Sequence, residues 1–406
     1  MEKVLLILES MHPIRNHNSN LLLRIAKHMD YDGEILATTV CSNYNGSAKD
    51  KKKQCRSKEI DGIPTVHIKI GFLGRFFERI IARMKNNDSA STLIKMLKLY
   101  SKNIVRARKA DVILYTYKGI SSSLAASKLK SKKDAIKALY LLDPSKAIYD
   151  STMSINDESP RFIEMLKNSD IVFTTSFIKE AMIAKGYGDI AKRIIEVAFP
   201  MVIGFDAKPR NTTSGKITLL YCGSLYLQSQ IRSPRYLFDI IERLDNRFRI
   251  IFIGGESKAA VSQLPSDIVP EVIALPQMQR EELQEYIAEA DFLINIGNSV
   301  PVHLPSKVLE YINTGKPIIN FYKLDNCPSL HYTLKYPLSL NLDEKDQDIA
   351  SAAEKLTSFC IGNKGKQLEQ GWVQHNYKEA TPKAIAEKIM KECDKLRSER
   401  STKHAR

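Results

Sequence analysis

The segment 304–311, LPSKVLEY, brings a serine, a lysine and a glutamate to one face of a predicted helix. The free N–H groups and the positive dipole at a helix start favour an anion, and Lys307 adds a formal charge there. Glu310 lies close to Ser306 and Lys307 at helical spacing. Its carboxylate can accept hydrogen bonds from two vicinal hydroxyls. Because a helix rises ~1.5 Å per residue, the anion and diol contacts would fall within about 6 Å.

The residues around this segment predict the limits of the helix. Asn298 opens a loop after the apolar strand 292–296. Ser306 suits the N-cap of the helix, and Gly315 suits its C′ position. The same spacing also suits an ordinary capped helix with a Lys–Glu pair on its surface. The sequence leaves the ligand-binding and the structural interpretation open.

A second basic position precedes another predicted helix. Arg232 stands before Ser233 and Pro234, which suit the N-cap and the first position of a helix over Pro234–Leu244. An arginine beside a helix start can make a bidentate contact with a phosphate. An arginine on the surface, without a ligand, explains the same pattern.

Glycines follow two predicted strands in this half of the chain. Gly223 follows the strand Ile217–Cys222 and permits close approach of the backbone to a ligand. Gly254 follows the strand Phe248–Ile253 and predicts a flexible loop, although many strand-to-helix turns carry glycine.

Polar residues crowd the loop after the first predicted strand of the other half. They are His12, Arg15, Asn16, His17 and Asn18. Such a set can bind hydroxyls or supply a base, so His12 and His17 are catalytic candidates, although a solvated loop fits equally well. Asp143 directly follows the strand Ala138–Leu142 and is either a third catalytic candidate or a helix cap.

Short apolar runs alternate with helical stretches along the chain, which predicts an α/β fold with mostly parallel sheets. The strands predicted in the first half are Val4–Leu8, Glu34–Val40, Thr65–Ile70, Asp111–Tyr115, Ala138–Leu142, Asp170–Thr174 and Ile194–Val197. Those predicted in the second half are Ile217–Cys222, Phe248–Ile253, Glu271–Ala274, Phe292–Ile296 and Pro317–Phe321. Ligands of such sheets bind beyond the carboxyl ends of the strands.

Turn residues crowd the stretch Phe199–Lys216, which predicts a domain boundary. The chain has 406 residues, and a single core rarely exceeds roughly 250–300 residues. We therefore expect one Rossmann-like domain over residues 1–205, a second over 216–380, and a cleft between them. A C-terminal helix and basic tail over 381–406 are expected to cross back onto the first domain.

The composition is that of a globular protein with anionic partners. Hydrophobic residues make up 43% and charged residues 26%, which excludes a disordered chain. The net charge of +15 indicates an anionic partner, which could be nucleic acid, an acidic membrane or a phosphorylated substrate.

Six scattered cysteines without a CxxC pair predict reduced thiols. The first apolar run is too short for a signal peptide, and none reaches the ~18 residues that span a bilayer. We expect a cytoplasmic protein.

Residues 72–110 contain two basic amphipathic stretches, GRFFERIIARMK and LIKMLKLYSKNIVRARK. Such stretches can lie against anionic lipid headgroups, which would make the protein peripheral at the inner face of a membrane. Helices that pack their apolar faces on their own domain explain the same pattern.

The order of motifs in the second half resembles the GT-B glycosyltransferases of the glycosyltransferase family 4 type. The similar segments are YCGSL, IRSP, FIGG and the run from EADFLINIGNS to LPSKVLEYINTGKPII, within residues 216–395. The first half is similar in layout only, through SDIVFTTS and RIIEVAFP.

The resemblance implies that the second domain binds a nucleotide sugar and the first an acceptor. Glu310 would hold the ribose, and Ser306 and Lys307 would meet the diphosphate. The family's basic residue and its glycine turn match Arg232, Gly223 and Ser224.

Two features depart from the family. Its usual motif has another glutamate eight residues before Glu310, where this chain has Val302. Its Gly-rich first loop is replaced by HPIRNHNSN. Three residues near Val302 are candidates to take over the contacts of the missing glutamate: Asn298, Ser299 and His303.

We therefore expect a hexosyltransferase-type enzyme of surface polysaccharide synthesis, which moves a sugar from a nucleoside diphosphate to a glycan or lipid-linked acceptor. In GT-B enzymes arginine, lysine and helix dipoles stabilise the leaving diphosphate. The resemblance implies that no metal is needed, and the lack of a DxD-type motif agrees with this. We expect neither a metal nor a cofactor. The alternatives are a nucleotide-sugar epimerase and a non-catalytic nucleotide-sugar-binding protein. No nucleic-acid-binding signature is present.

Overall fold

A computed structural model describes residues 3–8, 17–29, 34–40, 59–68, 99–117, 120–208, 215–225 and 232–404. The chain divides into two compact units. The first comprises Met1–Pro200 together with Glu379–Arg406, and the second comprises Met201–Lys378.

The first unit is built on an eight-stranded sheet with the order β3-β4-β2-β1-β5-β6-β7-β8. Its strands are β1 Lys3–Leu8, β2 Glu34–Val40, β3 Glu59–Ile60, β4 Ile63–Ile68, β5 Val112–Thr116, β6 Ile136–Leu141, β7 Ile171–Thr174 and β8 Ile194–Glu196. The pairs are parallel except for β3 with β4, a hairpin that turns at Asp61 and Gly62. Strands β5 and β6 are almost fully buried, as in a parallel sheet covered on both faces.

Helices connect the parallel strands of the first unit. Their bounds are His17–Ala26, Ile120–Lys128, Lys146–Tyr149, Pro160–Asn168, Ser176–Ala184 and Gly188–Ala191. Residues 99–107 are also helical, and Ile155–Asp157 form a 3₁₀ turn. The Pro160–Asn168 helix begins with a proline and buries Phe162, Met165 and Leu166, so its apolar face packs on the unit.

The C-terminal helix, Pro382–His404, belongs to the first unit, as the predicted fold class requires. It buries Ile389 and Cys393. Arg397 Nη2 donates to Asp111 Oδ1 at 3.0 Å, and Arg400 Nη1 donates to the Ala135 carbonyl at 2.8 Å. Apolar burial and charged hydrogen bonds together hold this helix on the strands that the first 200 residues form.

The second unit is built on a six-stranded parallel sheet with the order β11-β10-β9-β12-β13-β14. Its strands are β9 Ile217–Cys222, β10 Phe248–Ile253, β11 Glu271–Leu275, β12 Phe292–Ile296, β13 Ile318–Tyr322 and β14 Ser339–Asp343. Its helices are Arg235–Ile241, Ser257–Val261, Arg280–Glu289, Ser306–Ile312, Pro328–Thr333, Ile349–Asn363 and Gln370–Asn376. Aromatic side chains fill the core. Phe238 of the first of these helices meets Phe252 of β10 edge to face, at 5.8 Å between ring centroids.

The expected α/β architecture with mostly parallel sheets is confirmed. The long apolar strands match their predicted bounds within two residues. The prediction omitted β3, which has two residues, and β14, which carries an asparagine and a serine among few apolar residues. No helix in the described ranges is long and apolar enough to cross a membrane.

Candidate functional site

The carboxyl edge of the second sheet carries the residues predicted to bind the donor. Gly223 directly follows β9, Gly254 directly follows β10, and Asn298 lies just beyond β12. Because β9 pairs with both β10 and β12, these three turns are neighbours along one edge of the sheet. The geometry therefore groups positions that are far apart in sequence.

The two glycine turns lie against each other. Gly223 N–H donates to the Ile253 carbonyl at 2.9 Å. Gly254 has a φ of 148°, and a Cβ on this residue would lie 2.2 Å from the Gly223 carbonyl oxygen. Only glycine fits there, and the close approach of the turns is sufficient reason for it. Ser224 is half-buried, and its carbonyl accepts from the Tyr221 hydroxyl at 3.1 Å.

Arg232 and Asn298 are in direct contact. Arg232 Nε and Nη2 both donate to Asn298 Oδ1, at 3.2 and 3.0 Å. Asn298 is buried, and its Nδ2 donates to the His303 carbonyl at 2.9 Å. The arginine is thus tied to the loop after β12 and has a defined orientation.

Both helix starts at this edge differ from the prediction by one residue. Pro305 occupies the N-cap and Ser306 is the first helical residue, so the N-cap prediction for Ser306 is wrong. Pro234 likewise occupies an N-cap, and its helix starts at Arg235. The Ser233 hydroxyl accepts from the Arg235 N–H at 3.3 Å. This local turn fits a helix that starts one residue later than the sequence pattern suggests.

The end of the Ser306–Ile312 helix also differs from the prediction. Asn313 is the C-cap, so Gly315 lies one position beyond C′. Gly315 has a φ of 75°, and a Cβ there would lie 2.3 Å from the Leu368 carbonyl oxygen. The Asn313 side chain accepts from the N–H groups of Ile203 and Gly204, both at 2.8 Å. Asn313 therefore fixes the start of the second unit beside this helix.

Lys307 and Glu310 form the ion pair that their spacing allows. Lys307 Nζ lies 2.7 Å from Glu310 Oε2, and the side chains are 30% and 19% exposed. Both functional groups are therefore near solvent. The pair fits the structural interpretation of the motif as well as the ligand-binding one, since an i,i+3 pair also stabilises a helix.

Tyr311 joins this helix to β9, a role that the sequence analysis missed. Its buried hydroxyl accepts from the Cys222 N–H at 3.1 Å and donates to the Cys222 carbonyl at 3.4 Å. These hydrogen bonds bring the Ser306–Ile312 helix, which carries Lys307 and Glu310, to the end of β9 beside the glycine turn. Burial raises the pKa of the Cys222 thiol to about 12, and the charge of Lys307 opposes that rise.

Val302 stands where the resemblance calls for a glutamate. Its side chain is only 5% exposed, so it is packed inside the unit. The backbone around it turns sharply, because His303 N–H donates to the Val300 carbonyl at 3.2 Å. A carboxylate at this position would be buried.

A separate polar cluster lies at the carboxyl edge of the first sheet. His17 is the exposed first residue of the His17–Ala26 helix, and Asn18 is fully buried. Asn18 Nδ2 donates to Asp143 Oδ2 and to the Tyr117 carbonyl, both at 3.0 Å. The N-cap of the next helix is Ser145, so the interpretation of Asp143 as a helix cap is wrong. His12, Arg15 and Asn16 lie outside the described residues.

The segment after Asp143 is anchored by a buried carboxylate. Glu158 accepts hydrogen bonds from the Ser145 hydroxyl, from the Tyr187 hydroxyl at 3.0 Å and from the Ser159 N–H at 2.8 Å. Burial, followed by the Glu158 charge, raises the pKa of Tyr187. These hydrogen bonds join the two ends of the connecting segment between β6 and the Pro160–Asn168 helix. Asp143 lies at the start of this segment, so the same bonds help to fix its position.

Two other predictions concern the basic segment 72–110 and the lack of a metal ion. Of the basic segment 72–110, residues 72–98 lie outside the described residues, and 99–107 are helical, with Leu99 buried. Contact with a membrane stays a prediction. Across the described ranges, no three His, Cys, Asp or Glu side chains are grouped so that they could hold a metal ion.

Comparisons with known proteins point to solved structures only. No family model matches the sequence, and no curated protein matches it significantly. The Anabaena protein Alr3699/HepE, in complex with UDP-glucose, is similar over 100% of both chains, with 14% identity and a TM-score of 0.56. The lipopolysaccharide outer core galactosyltransferase WaaB covers 93% of this chain and 95% of its own, with 14% identity and a TM-score of 0.55. TarM covers 98% and 99%, with 11% identity and a TM-score of 0.59. The chain has the GT-B fold.

The GT-B fold confirms the predicted fold class. The two polar clusters lie at equivalent places in their units. Each lies at the carboxyl edge of a parallel sheet, where open α/β sheets bind their ligands. In the second unit this edge carries Arg232, Lys307 and Glu310. In the first unit it carries Asn18 and Asp143.

Proposed function

We propose that the chain is a glycosyltransferase that moves a sugar from a nucleoside diphosphate-sugar to a glycan or lipid-linked acceptor in surface polysaccharide synthesis. The observation that carries this proposal is the set of Arg232, Lys307 and Glu310 along one sheet edge of a GT-B chain. HepE, which shares the fold, is described in complex with UDP-glucose, and WaaB is described as a galactosyltransferase. A UDP-hexose is therefore the first donor to test.

The donor binds at the carboxyl edge of the second sheet. Lys307, Ser306 and Arg232 contact the diphosphate, and Glu310 accepts hydrogen bonds from the ribose hydroxyls. The turns at Gly223, Ser224 and Gly254 line the same edge, beside Asn298. Two cations suit a metal-independent transfer, because they stabilise the negative charge that develops on the leaving diphosphate.

The acceptor binds to the first unit. A hydroxyl of the acceptor attacks the anomeric carbon of the donor sugar, and the bond from this carbon to the diphosphate oxygen breaks. The hydroxyl proton passes to a base. Asp143 is the base with the best supported position, since Asn18 and the segment anchored by Glu158 hold it. His17 lies one residue from Asn18, and His12 is the third candidate.

A second candidate function is nucleotide-sugar binding without transfer. The buried Val302 favours it, because the resemblance calls for a donor-sugar carboxylate at this position. The two functions share the diphosphate and ribose contacts and differ only at the sugar. Binding and turnover must therefore be measured separately.

The basic segment 72–110 supports a location at an anionic membrane surface on the cytoplasmic side, where a lipid-linked acceptor would be available. Flotation with liposomes that contain anionic lipid tests this. Replacing the basic residues of 75–85 by neutral ones should abolish flotation. Equal flotation of this variant, or none by the wild type, would contradict the membrane proposal.

The test of the main proposal is a panel of UDP-, GDP- and TDP-sugars. Binding is measured by calorimetry, and the products formed with and without glycan acceptors are identified by mass spectrometry. Release of the nucleoside diphosphate with a sugar-modified acceptor supports the transferase. Binding without turnover supports the second candidate, an epimerised donor would reveal an epimerase, and no binding of any donor overturns all three.

A further inference from the structure

Arg232 is held by a neutral side chain. Both of its contacting nitrogens donate to the same oxygen, Asn298 Oδ1, at 3.2 and 3.0 Å. A guanidinium has five N–H donors, so both hydrogens on Nη1 and one on Nη2 are left for other acceptors. Among the described residues, no carboxylate forms an ion pair with Arg232, whereas Lys307 is paired with Glu310 at 2.7 Å.

Asn298 itself has a fixed orientation. It is 5% exposed, and its Nδ2 donates to the His303 carbonyl at 2.9 Å. The preceding residue, Gly297, donates its N–H to the Phe321 carbonyl of β13 at 2.7 Å. An amide that must donate to a carbonyl on one side and accept from a guanidinium on the other cannot be reversed without losing both sets of bonds. The sheet therefore determines where Asn298 Oδ1 lies, and this oxygen determines where the guanidinium lies.

The neutrality of the amide has an electrostatic consequence. An aspartate at position 298 could accept the same two hydrogen bonds, but it would cancel the charge of Arg232. The amide orients the cation without cancelling its charge. A half-buried guanidinium in this state attracts an anion more strongly than a salt-bridged one, because a salt bridge would already offset part of its charge.

We propose that Asn298 is a positioning residue that orients Arg232 toward the diphosphate of the donor and, because it is neutral, leaves the arginine charge available to that diphosphate. The inference rests on the proposed nucleotide-sugar function. It differs from a direct role of Asn298 at the donor sugar, since Asn298 acts through Arg232.

The experiment compares Asn298→Asp with the wild type in binding nucleoside diphosphates and nucleosides. The wild type is first titrated with UDP, GDP and TDP, and the tightest ligand and its parent nucleoside become the probes. We expect Asn298→Asp to weaken diphosphate binding about tenfold or more and to leave nucleoside binding unchanged. Asn298→Ala should also weaken diphosphate binding, because the guanidinium loses its support. Asn376→Asp, at an exposed position of the Gln370–Asn376 helix in the same unit, controls for the added charge.

A double-mutant comparison separates positioning from other roles. In an Arg232→Gln background, Asn298→Asp should change diphosphate binding less than twofold, because the cation it would neutralise is gone. Full loss in that background would mean that Asn298 contacts the ligand directly and would overturn the inference. So would equal diphosphate binding by Asn298→Asp and the wild type, or an equal loss of nucleoside binding. Absence of all nucleotide binding by the wild type would instead overturn the proposed function and the inference with it.

Discussion

The Lys307–Glu310 pair has a structural and a functional explanation that differ in what they predict for stability. Both side chains are partly exposed, at 30% and 19%. A pair of this kind stabilises a protein by about 0.2–1 kcal/mol. A carboxylate that accepts hydrogen bonds from two hydroxyl groups of a ligand contributes more than this to the free energy of binding. Stability and affinity measured on the same variant therefore separate the two explanations.

Replacing Glu310 by alanine should weaken nucleoside diphosphate binding about tenfold or more, because hydrogen bonds to a charged group are worth about 1.5–3 kcal/mol each. The melting temperature should change by no more than about 2 °C, since the ion pair contributes little. Calorimetry with the ribonucleotide and its 2′,3′-dideoxy analogue makes the test specific. The dideoxy analogue should bind the variant and the wild type equally, and Glu354→Ala, on an exposed position of another helix, should leave both affinities unchanged. An equal loss for both ligands would refute the ribose role.

Replacing Asp143 by asparagine should abolish turnover while donor binding persists. The variant keeps the side-chain size and can still accept from Asn18 Nδ2, which lies 3.0 Å from Asp143 Oδ2. It loses the proton acceptor, and general-base catalysis contributes about 10²–10⁴-fold to a rate. Single-turnover transfer measures the loss, with Asp150→Asn in the same connecting segment as the control. Turnover within threefold of the wild type would assign the base elsewhere, with His17 the next residue to replace.

At the scale of helices and strands, the sequence predicts features that depend on neighbouring residues better than features that depend on residues far apart in the chain. Long apolar strands such as β9 and β10 are specified by their own residues, and the spacing of Lys307 and Glu310 needs only helical geometry. Strand β14 is specified by its neighbour, because Asn341 pairs in register with Asn320 of β13. The Arg232–Asn298 contact joins residues 66 positions apart, so no local pattern contains it. Both helix starts differ from the predicted position by one residue, because a proline that the local pattern places inside the helix or before its N-cap occupies the N-cap itself.

A ladder of three asparagines crosses the buried part of the second sheet. Asn295 Nδ2 donates to Asn320 Oδ1 at 2.7 Å, and Asn320 Nδ2 donates to Asn341 Oδ1 at 2.8 Å. The three residues are in register on β12, β13 and β14. Such a chain of amides stabilises one strand register, because a slip would bury unpaired polar groups.

Replacing Asn320 by leucine should destabilise the second unit by about 2–4 kcal/mol, because the amides of Asn295 and Asn341 lose their shared partner inside the core. Denaturant unfolding, followed by the single tryptophan, Trp372, reports on this unit directly. Asn376→Ala removes an exposed asparagine whose Nδ2 donates to the Trp372 carbonyl of its own helix, and it serves as the matched control. Equal midpoints for the two variants would show that the ladder does not hold the strands.

At the scale of the whole molecule, the attachment of the C-terminal helix to the first unit depends on the buried carboxylate of Asp111. Asp111 accepts from the Lys3 N–H at 2.6 Å, from Lys132 Nζ, and from Arg397 Nη2 at 3.0 Å. Burial by itself raises the pKa of Asp111, but the hydrogen bonds from Lys132 and Lys3 and the charges of Arg397 and Lys132 lower it overall. One carboxylate thus joins the first strand, the last helix and the segment before β6.

The lowered pKa of Asp111 predicts how this connection responds to acid. A carboxyl group whose pKa is lower in the folded state stabilises the protein above its unfolded value, about 3.9, and that contribution is lost as the pH falls through the folded value. Arg397→Gln should therefore destabilise the first unit by about 1.5–3 kcal/mol at pH 7. Its deficit relative to the wild type should shrink as the pH falls below the ordinary aspartate value of about 3.9, because without Arg397 the Asp111 carboxyl gains its proton at a higher pH than in the wild type. Limited proteolysis of the C-terminal helix between pH 3 and 7 measures the difference, and Lys395→Gln on the exposed side of the helix is the control for lost charge. A deficit that stays constant down to pH 3 would mean that Arg397 holds the helix through packing of its aliphatic stem and not through the charge of Asp111.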